Sequence, residues 1–366
     1  LMKIAIDASR STVDRMTGTE HYSRQLIYHL ILHNETLDNP HQLHLYFRDT
    51  PAEDLFPQSE YVSVHVIPFS RLWTHLRFAF ALWQLRPDVT FVPAHTLPYF
   101  FPNNAVVTVH DLGYKYFPEA HPDSQVKYLD WSTRHSAKRA TRILADSQAT
   151  ADDLQKFYDV PDEKITVIYP GVDAPADKRG WELYGKYNIP LSYFLFIGTL
   201  QPRKNIERII QAFDMWQKAN TDKSIGLVLA GKQGWLFDET WLDNIENVHI
   251  TGYIDEEDKG AIIRQASALI FPSLYEGFGF PVLEAMHMGT AVIASNTSSL
   301  PELVGDAGIL VDPLSVQEIA SSLDLVADNE ALRRTLSIKG MMQVKDFTWE
   351  NTAQQTLKIL EEASKH

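Results

Sequence analysis

Ala268-Leu-Ile-Phe-Pro-Ser-Leu-Tyr-Glu-Gly-Phe-Gly-Phe-Pro-Val-Leu-Glu-Ala-Met286 is the stretch that decides how this chain folds. Its first four residues are uninterruptedly apolar, which fits a strand buried on both faces of a parallel sheet. Gly277 and Gly279 punctuate the loop that follows, and Pro281 stands where a helix opens. Two carboxylates, Glu276 and Glu284, bracket this strand-to-helix junction. Glu284 alone would suit the first turn of a helix, by roughly 0.3–1 kcal/mol, and Glu276 alone would pass as a polar loop residue. Two acids around two glycines, directly after a buried strand, favour a binding loop. Glycine lets a ligand approach the backbone, and a carboxylate accepts two hydrogen bonds from a vicinal diol.

The same alternation runs outward in both directions. Upstream, strands are predicted at Lys3–Ile6, Leu43–Phe47, Val62–Ile67, Val89–Val92, Ala105–Val109, Arg142–Ala145 and Ile165–Ile168. Helical spacing appears from Tyr22 to Ile31 and over Trp73–Leu85, Asp123–Ala140 and Ala149–Tyr158. Tyr169-Pro-Gly-Val-Asp-Ala-Pro-Ala176 breaks the rhythm and reads as a linker. Strands at Phe194–Ile197, Gly226–Ala230, Val248–Thr251, Ala268–Phe271, Ala291–Ala294 and Gly308–Val311 then alternate with helices, among them Asn205–Ala219, one near Glu239–Ile245, Glu256–Gln265 and Pro281–Met288. Parallel neighbours need crossovers, so two βα runs predict two doubly wound domains facing a cleft. The expected division is an N-terminal acceptor-side domain over 1–169, a donor domain over 170–345, and a final helix over 346–366 that crosses back to the first.

With 366 residues, two domains are the natural size, and a formal net charge of −14 argues against a general nucleic-acid binder. The absence of cysteine excludes disulfides, thiol nucleophiles and cysteine metal sites. No apolar run has the length of a signal peptide core or a membrane span, and Leu1 ahead of Met2 reads as a cloning remnant. A cytoplasmic protein is expected. The N-terminal half is the less acidic and holds most of the histidines, so it is the half suited to an acidic acceptor or the inner face of a membrane. Arg71-Leu-Trp-Thr-His-Leu-Arg-Phe-Ala-Phe-Ala-Leu-Trp83 fits a packed core helix first and peripheral membrane contact second.

Ile197-Gly-Thr-Leu-Gln-Pro-Arg-Lys-Asn205 is the second constellation. A strand ends, two cations follow, and Asn205 suits the N-cap of the next helix. Arg203 and Lys204 at a helix N-terminus make an anion site. No Asp-x-Asp occurs in the sequence, so fixed cations would replace a metal in stabilising a diphosphate; neither metal nor cofactor is expected. Val106-Val-Thr-Val-His-Asp111 ends a strand on His110 and Asp111. Thr17-Gly-Thr-Glu20 caps the first helix, and Gly252-Tyr-Ile254 could present backbone to a nucleobase. Asp255-Glu-Glu-Asp258 reads as a solvated helix start.

In this order, these segments resemble the GT-B glycosyltransferases of family 4, the retaining group 1 enzymes. The resemblance covers nearly the whole chain and is most specific from Glu276 to Glu284. It implies two Rossmann-like domains and a nucleotide-sugar donor held by the second. Glu284 would bind ribose, Glu276 the donor sugar, Lys204 the diphosphate, and His110 would reach the sugar from the first domain. His110, Glu276, Arg203 and Lys204 are thus the catalytic candidates. Gly18, Gly198, Thr199, Ile254, Gly277, Phe278 and Gly279 join them around the donor, and Thr19, Tyr22, His95 and Asp111 on the acceptor side. Two departures stand out: Thr199 occupies a position that is often arginine, with Arg203 supplying the charge, and Gly18 is a single glycine where many members have two.

The expected reaction moves a glucose- or mannose-type hexose from a UDP- or GDP-sugar to a hydroxyl of a glycan or lipid-linked oligosaccharide in polysaccharide biosynthesis. A two-domain nucleotide-sugar epimerase and a non-enzymatic two-domain sugar-binding protein are the alternatives. No Gly-x-Gly-x-x-Gly follows either first strand, which disfavours a dehydrogenase.

Overall fold

The computed structural model describes residues 1–13, 18–69, 72–102, 104–178, 180, 182–220, 224–234, 238–243 and 245–365. The chain forms two compact units, Leu1–Gly171 with Phe347–His366, and Val172–Asp346. Through the first unit run β1 (Lys3–Asp7), α1 (Gly18–Glu35), β2 (Gln42–Phe47), β3 (Val62–Val66), α2 (Ala79–Leu85), β4 (Val89–Val92), β5 (Asn104–Val109), α3 (Gly113–Tyr116), α4 (Asp123–Arg139), β6 (Arg142–Ala145), α5 (Gln148–Tyr158) and β7 (Ile165–Val167). The second contains α6 (Glu182–Tyr187), β8 (Tyr193–Ile197), α7 (Ile206–Ala219), β9 (Gly226–Ala230), β10 (Val248–Gly252), α8 (Glu256–Gln265), β11 (Ala268–Phe271), α9 (Phe280–His287), β12 (Val292–Ser295), α10 (Leu300–Val304), β13 (Ile309–Val311), α11 (Val316–Ala327) and α12 (Glu330–Gln343). Helix α13 (Trp349–Ala363) then completes the first unit.

Each unit is a parallel sheet wound in both directions. The first sheet runs β3-β2-β1-β4-β5-β6-β7 and the second β10-β9-β8-β11-β12-β13. Register places Ile4 beside Val89 in the first and Leu269 beside Leu195 in the second. Every residue of β8, β9, β11 and β12 is buried, which is why these strands read as unbroken apolar runs. Helices cover the faces with stripes at helical spacing. In α7 the buried set includes Ile206, Ile209, Ile210, Phe213 and Trp216, and burying each such side chain contributes roughly 1.5–3 kcal/mol.

Helix α13 buries Trp349, Ala353, Leu357 and Leu360. Thr352 Oγ1 donates to the Tyr169 carbonyl at 2.8 Å, and His41 Nε2 lies 2.9 Å from Glu361 Oε1, so both ends of the helix are tied to the first unit. The final helix is therefore part of that unit's core.

Local departures from the sequence reading have physical causes. The segment read as one helix from Trp73 begins as a π-helical stretch, Thr74–Phe78, before α2. It is also only half a core element: Trp73, Phe78 and Leu82 are buried, whereas Leu72, Leu76, Phe80 and Trp83 are exposed. Of the helix expected near Glu239, only the short 3-10 turn Glu239–Leu242 is present among the described residues. Helices α3, α6 and α10 were too short to show periodicity. No described helix is long and apolar enough to cross a membrane.

Candidate active site

In the second sheet the chain leaves β8 towards β9 on one side and β11 towards β12 on the other. Loops after neighbouring strands thus diverge and open a crevice at their carboxyl ends, where open α/β sheets bind ligands. After β8 comes a 3-10 turn, Pro202–Lys204. After β11 comes the glycine loop. A backbone bond from Leu274 N to Arg203 O at 2.9 Å joins the two.

Their side chains complete the junction. Lys204 Nζ lies 2.6 Å from Glu276 Oε1, and Arg203 Nη1 lies 3.3 Å from Glu276 Oε2. Arg203 also donates to the Tyr275 carbonyl at 2.5 Å. Burial pushes the Glu276 carboxyl upward, but Lys204 and then Arg203 overcome that and hold it below the usual carboxylate range. The loop itself is braced from β12's exit: Ser298 Oγ accepts from Glu276 N at 3.0 Å, and Ser299 Oγ donates to Glu276 O at 3.0 Å. The basic pair and the glutamate loop, roughly seventy positions apart in sequence, are thus in direct contact.

Asn205 is also reassigned. It stands at the N-cap position of α7 at φ +64°, but its side chain makes no capping bond. Instead Nδ2 donates to the carbonyls of Pro272 (2.9 Å) and Pro313 (2.6 Å), clamping the loops after β11 and β13. Gly279 has φ +144°, and a Cβ there would lie 2.7 Å from Leu300 Cδ2, so glycine is required for the turn into α9. Gly277 and Phe278 are buried in the same loop, Phe278 edge-on to Phe280 at 5.1 Å. Gly198, at φ +143°, and exposed Thr199 lie at the exit of β8, and Ile254 is buried beyond β10.

Glu284, on α9, does not join the Arg203–Lys204 cluster. Its Oε1 is 2.6 Å from Lys259 Nζ, and its Oε2 is shielded from solvent with no hydrogen-bond partner among the described residues. Lys259 was missed in the sequence because it sits in an acidic run that reads as surface. That reading also fails for Asp258, which is buried and accepts from Tyr187 Oη at 2.7 Å and Lys186 Nζ at 2.5 Å.

The first unit has its own switch point between β1 and β4. Around its strand ends stand Asp7, His95, His110, Asp111 and Asp146. His110 Nδ1 lies 2.7 Å from Asp146 Oδ2, and its Nε2 lies 3.2 Å from the Pro93 carbonyl. Both ring nitrogens face acceptors, so the ring satisfies them together only as an imidazolium or with Asp146 carrying the shared proton. Burial alone would lower the His110 pKa, but Asp146 outweighs it and the net shift is upward. His95, partly exposed, is drawn down to about 4 by burial first and then by His110 and Arg10, which keeps it neutral at pH 7. Asp111 is exposed and accepts from Gly113 N at 2.8 Å.

Tyr22, named on the acceptor side, is buried in the core of the first unit. Its hydroxyl lies 3.2 Å from Thr108 Oγ1, and its ring meets His110 edge-on at 4.7 Å and Trp349 at 5.9 Å. It props the histidine, because α1 lays this face against the sheet. Gly18 and Thr19 open α1, while Thr17 lies outside the described residues.

Residues 27–174 match the glycosyltransferase family 4 family and residues 185–341 the glycosyl transferases group 1 family. The O-antigen chain mannosyltransferase B of Escherichia coli is 32% identical over 298 residues, 78% of this chain and 77% of that one. The serotype-specific mannosyltransferase WbdA of Escherichia coli is 31% identical over 230 residues, 59% of this chain but only 28% of that longer protein. Among solved structures, sucrose-phosphate synthase from Thermosynechococcus elongatus superposes with a TM-score of 0.74 at 21% identity, covering 99% of both chains, a likeness of fold.

The His110–Asp146 contact has a measurable consequence. A histidine raised above its unfolded pKa adds stability that is fully present below pH 6.5 and is lost as pH rises through the folded value. In Asp146→Asn the main influence raising the imidazole is removed, with only the Pro93 carbonyl and Asp111 left against burial, so the His110 pKa should fall and that loss of stability should flatten. Imidazole NMR titration of both proteins checks this; an unchanged His110 pKa would contradict the assignment.

Proposed function

Because this chain belongs to the family 4, group 1 glycosyltransferases, we propose that it transfers a mannose-type hexose from a GDP- or UDP-sugar, with retention, to a hydroxyl of a growing glycan or lipid-linked oligosaccharide. The enzyme is a glycosyltransferase; the sugar, the donor and the stereochemistry are this reading. The mannosyl assignment draws on the names of the two relatives. One observation carries the site: Arg203, Lys204 and Glu276 converge at the β8–β11 switch point.

Arg203 and Lys204 receive the donor diphosphate, and Glu276, released from them, accepts a hydroxyl of the donor sugar. Glu284 accepts from the ribose. The C1–oxygen bond to the diphosphate breaks with its electron pair on the leaving oxygen, where the two cations stabilise the charge as a metal does elsewhere. The acceptor hydroxyl forms the new bond to C1 and passes its proton to that departing oxygen on the same face, which retains the configuration.

Lys204→Ala should lower kcat by about 10²–10³-fold, as loss of one preorganised charge donor does, and should also lower the melting temperature, because buried Glu276 is left with Arg203 alone. Transfer of labelled mannose from GDP-mannose, with UDP-glucose as the second arm, reads this. Undiminished turnover would remove Lys204 from the diphosphate site.

The acceptor side also suits a lipid-borne substrate. Exposed Leu72, Leu76, Phe80 and Trp83 recur at helical spacing, and residues 62–102 carry Arg71, Arg77 and Arg86 against the single acid Asp88 in an otherwise acidic chain. An apolar stripe with a local basic excess fits an anionic lipid surface. The protein should co-sediment with phosphatidylglycerol vesicles more than with phosphatidylcholine vesicles, and Phe80→Ser with Trp83→Ser should abolish the difference. Equal, negligible binding to both would exclude this contact.

A further inference from the structure

Lys259 is a buried cation with a designed setting. It projects from α8 and its Nζ lies 2.6 Å from Glu284 Oε1, with both side chains largely removed from solvent, 20% and 15% exposed. An ion pair taken out of water is at best near break-even against apolar residues of the same size, so stability alone gives little reason to keep one. The other Glu284 oxygen makes the pair more unusual still. Oε2 is solvent-shielded and unpartnered among the described residues, a costly condition that a ligand hydroxyl would relieve.

The helix bearing Lys259 is fixed in place. Lys186 Nζ bridges Asp255 (2.7 Å) and Asp258 (2.5 Å) in its first turn. Tyr187 Oη, besides donating to Asp258, accepts from Asp255 N at 3.2 Å. Gly260, beside Lys259, donates its N–H to the Ala176 carbonyl at 2.9 Å, and a Cβ there would sit 2.5 Å from the same oxygen. No side chain fits at Gly260, so α8 approaches the 175–176 backbone as closely as a helix can. A lysine on so constrained a helix has little freedom except along its own stem.

We propose that Lys259 is a positioning residue: by gripping one Glu284 oxygen it orients the other to accept a ribose hydroxyl, and thereby sets the preference for ribonucleotide donors. This rests on the reading of Glu284 as the ribose acid. The same pinned helix follows Gly252–Ile254, so Lys259 links the segment after β10 to the head of α9 through one ion pair.

Calorimetric binding of GDP and of 2′,3′-dideoxy-GDP to the full chain tests this, with UDP and its dideoxy analogue if UDP binds more tightly. The wild-type protein should favour the ribonucleotide by about tenfold or more, as expected when a site's acceptor is left unpaired. Lys259→Met should weaken the ribonucleotide towards the affinity of the dideoxy analogue and leave the latter unchanged, while Lys259→Arg should restore most of the ratio. A wild-type ratio in Lys259→Met would overturn the role of Lys259 while leaving Glu284 intact. Equal weakening of both nucleotides would reduce the pair to a structural brace, and a wild-type protein without discrimination would overturn the ribose reading itself.

Discussion

A single buried carboxylate organises the crevice at the strand ends of the second sheet. Glu276 is charged in a place where charge is costly, and it stays charged because Lys204 and Arg203 face its two oxygens. These partners come from a different loop, after a different strand, and the two loops meet only because β8 and β11 are neighbours in the sheet. Much of the local architecture serves that contact. Ser298 and Ser299 hold the glutamate's backbone, Asn205 clamps the flanking prolines, and Gly279 lets the chain turn directly into α9.

Under the proposed function, the pairing also accounts for how the site would await its donor. With no donor, a carboxylate neutralises the cations that would hold a diphosphate, so the crevice is never a bare cluster of like charges. An incoming diphosphate carries more negative charge than one carboxylate and can replace it. In that reading Glu276 would then be free to accept hydroxyls from the sugar attached to the diphosphate. The first unit follows another pattern. There His110 is trapped between Asp146 and a carbonyl, with Tyr22 packed edge-on, so its protons and orientation are set before any ligand arrives.

The fold was legible because parallel strands buried on both faces leave an unmistakable apolar signature, and β8, β9 and β11 show it clearly. The acids, the basic pair and His110 were legible because strand ends and glycines mark loops. What was hidden depends on distance along the chain. Nothing near Arg203 in sequence says that Glu276 lies beside it, and nothing near His110 points to Asp146. Tyr22 began the apolar repeat of α1, and its burial beside Trp349 of α13 follows from that repeat, but nothing in its own segment said that it would meet His110. Lys259 was concealed by its acidic neighbours, of which Asp258 is itself buried and paired. Exposed apolar residues in the Leu72–Trp83 segment followed the helical period but belonged to the outer face, and periodicity alone does not say which face is covered.

The exchange of Glu276 for diphosphate is best measured directly, as the affinity of GDP and UDP for Glu276→Gln compared with the wild-type protein. If the carboxylate occupies the place the diphosphate takes, removing its charge should tighten binding of whichever nucleoside diphosphate the protein prefers, by roughly tenfold for each 1.4 kcal/mol of competition relieved, while sugar transfer falls. Weaker or unchanged nucleotide affinity in Glu276→Gln would contradict the account, and would mean that Arg203 and Lys204 do not hold the diphosphate.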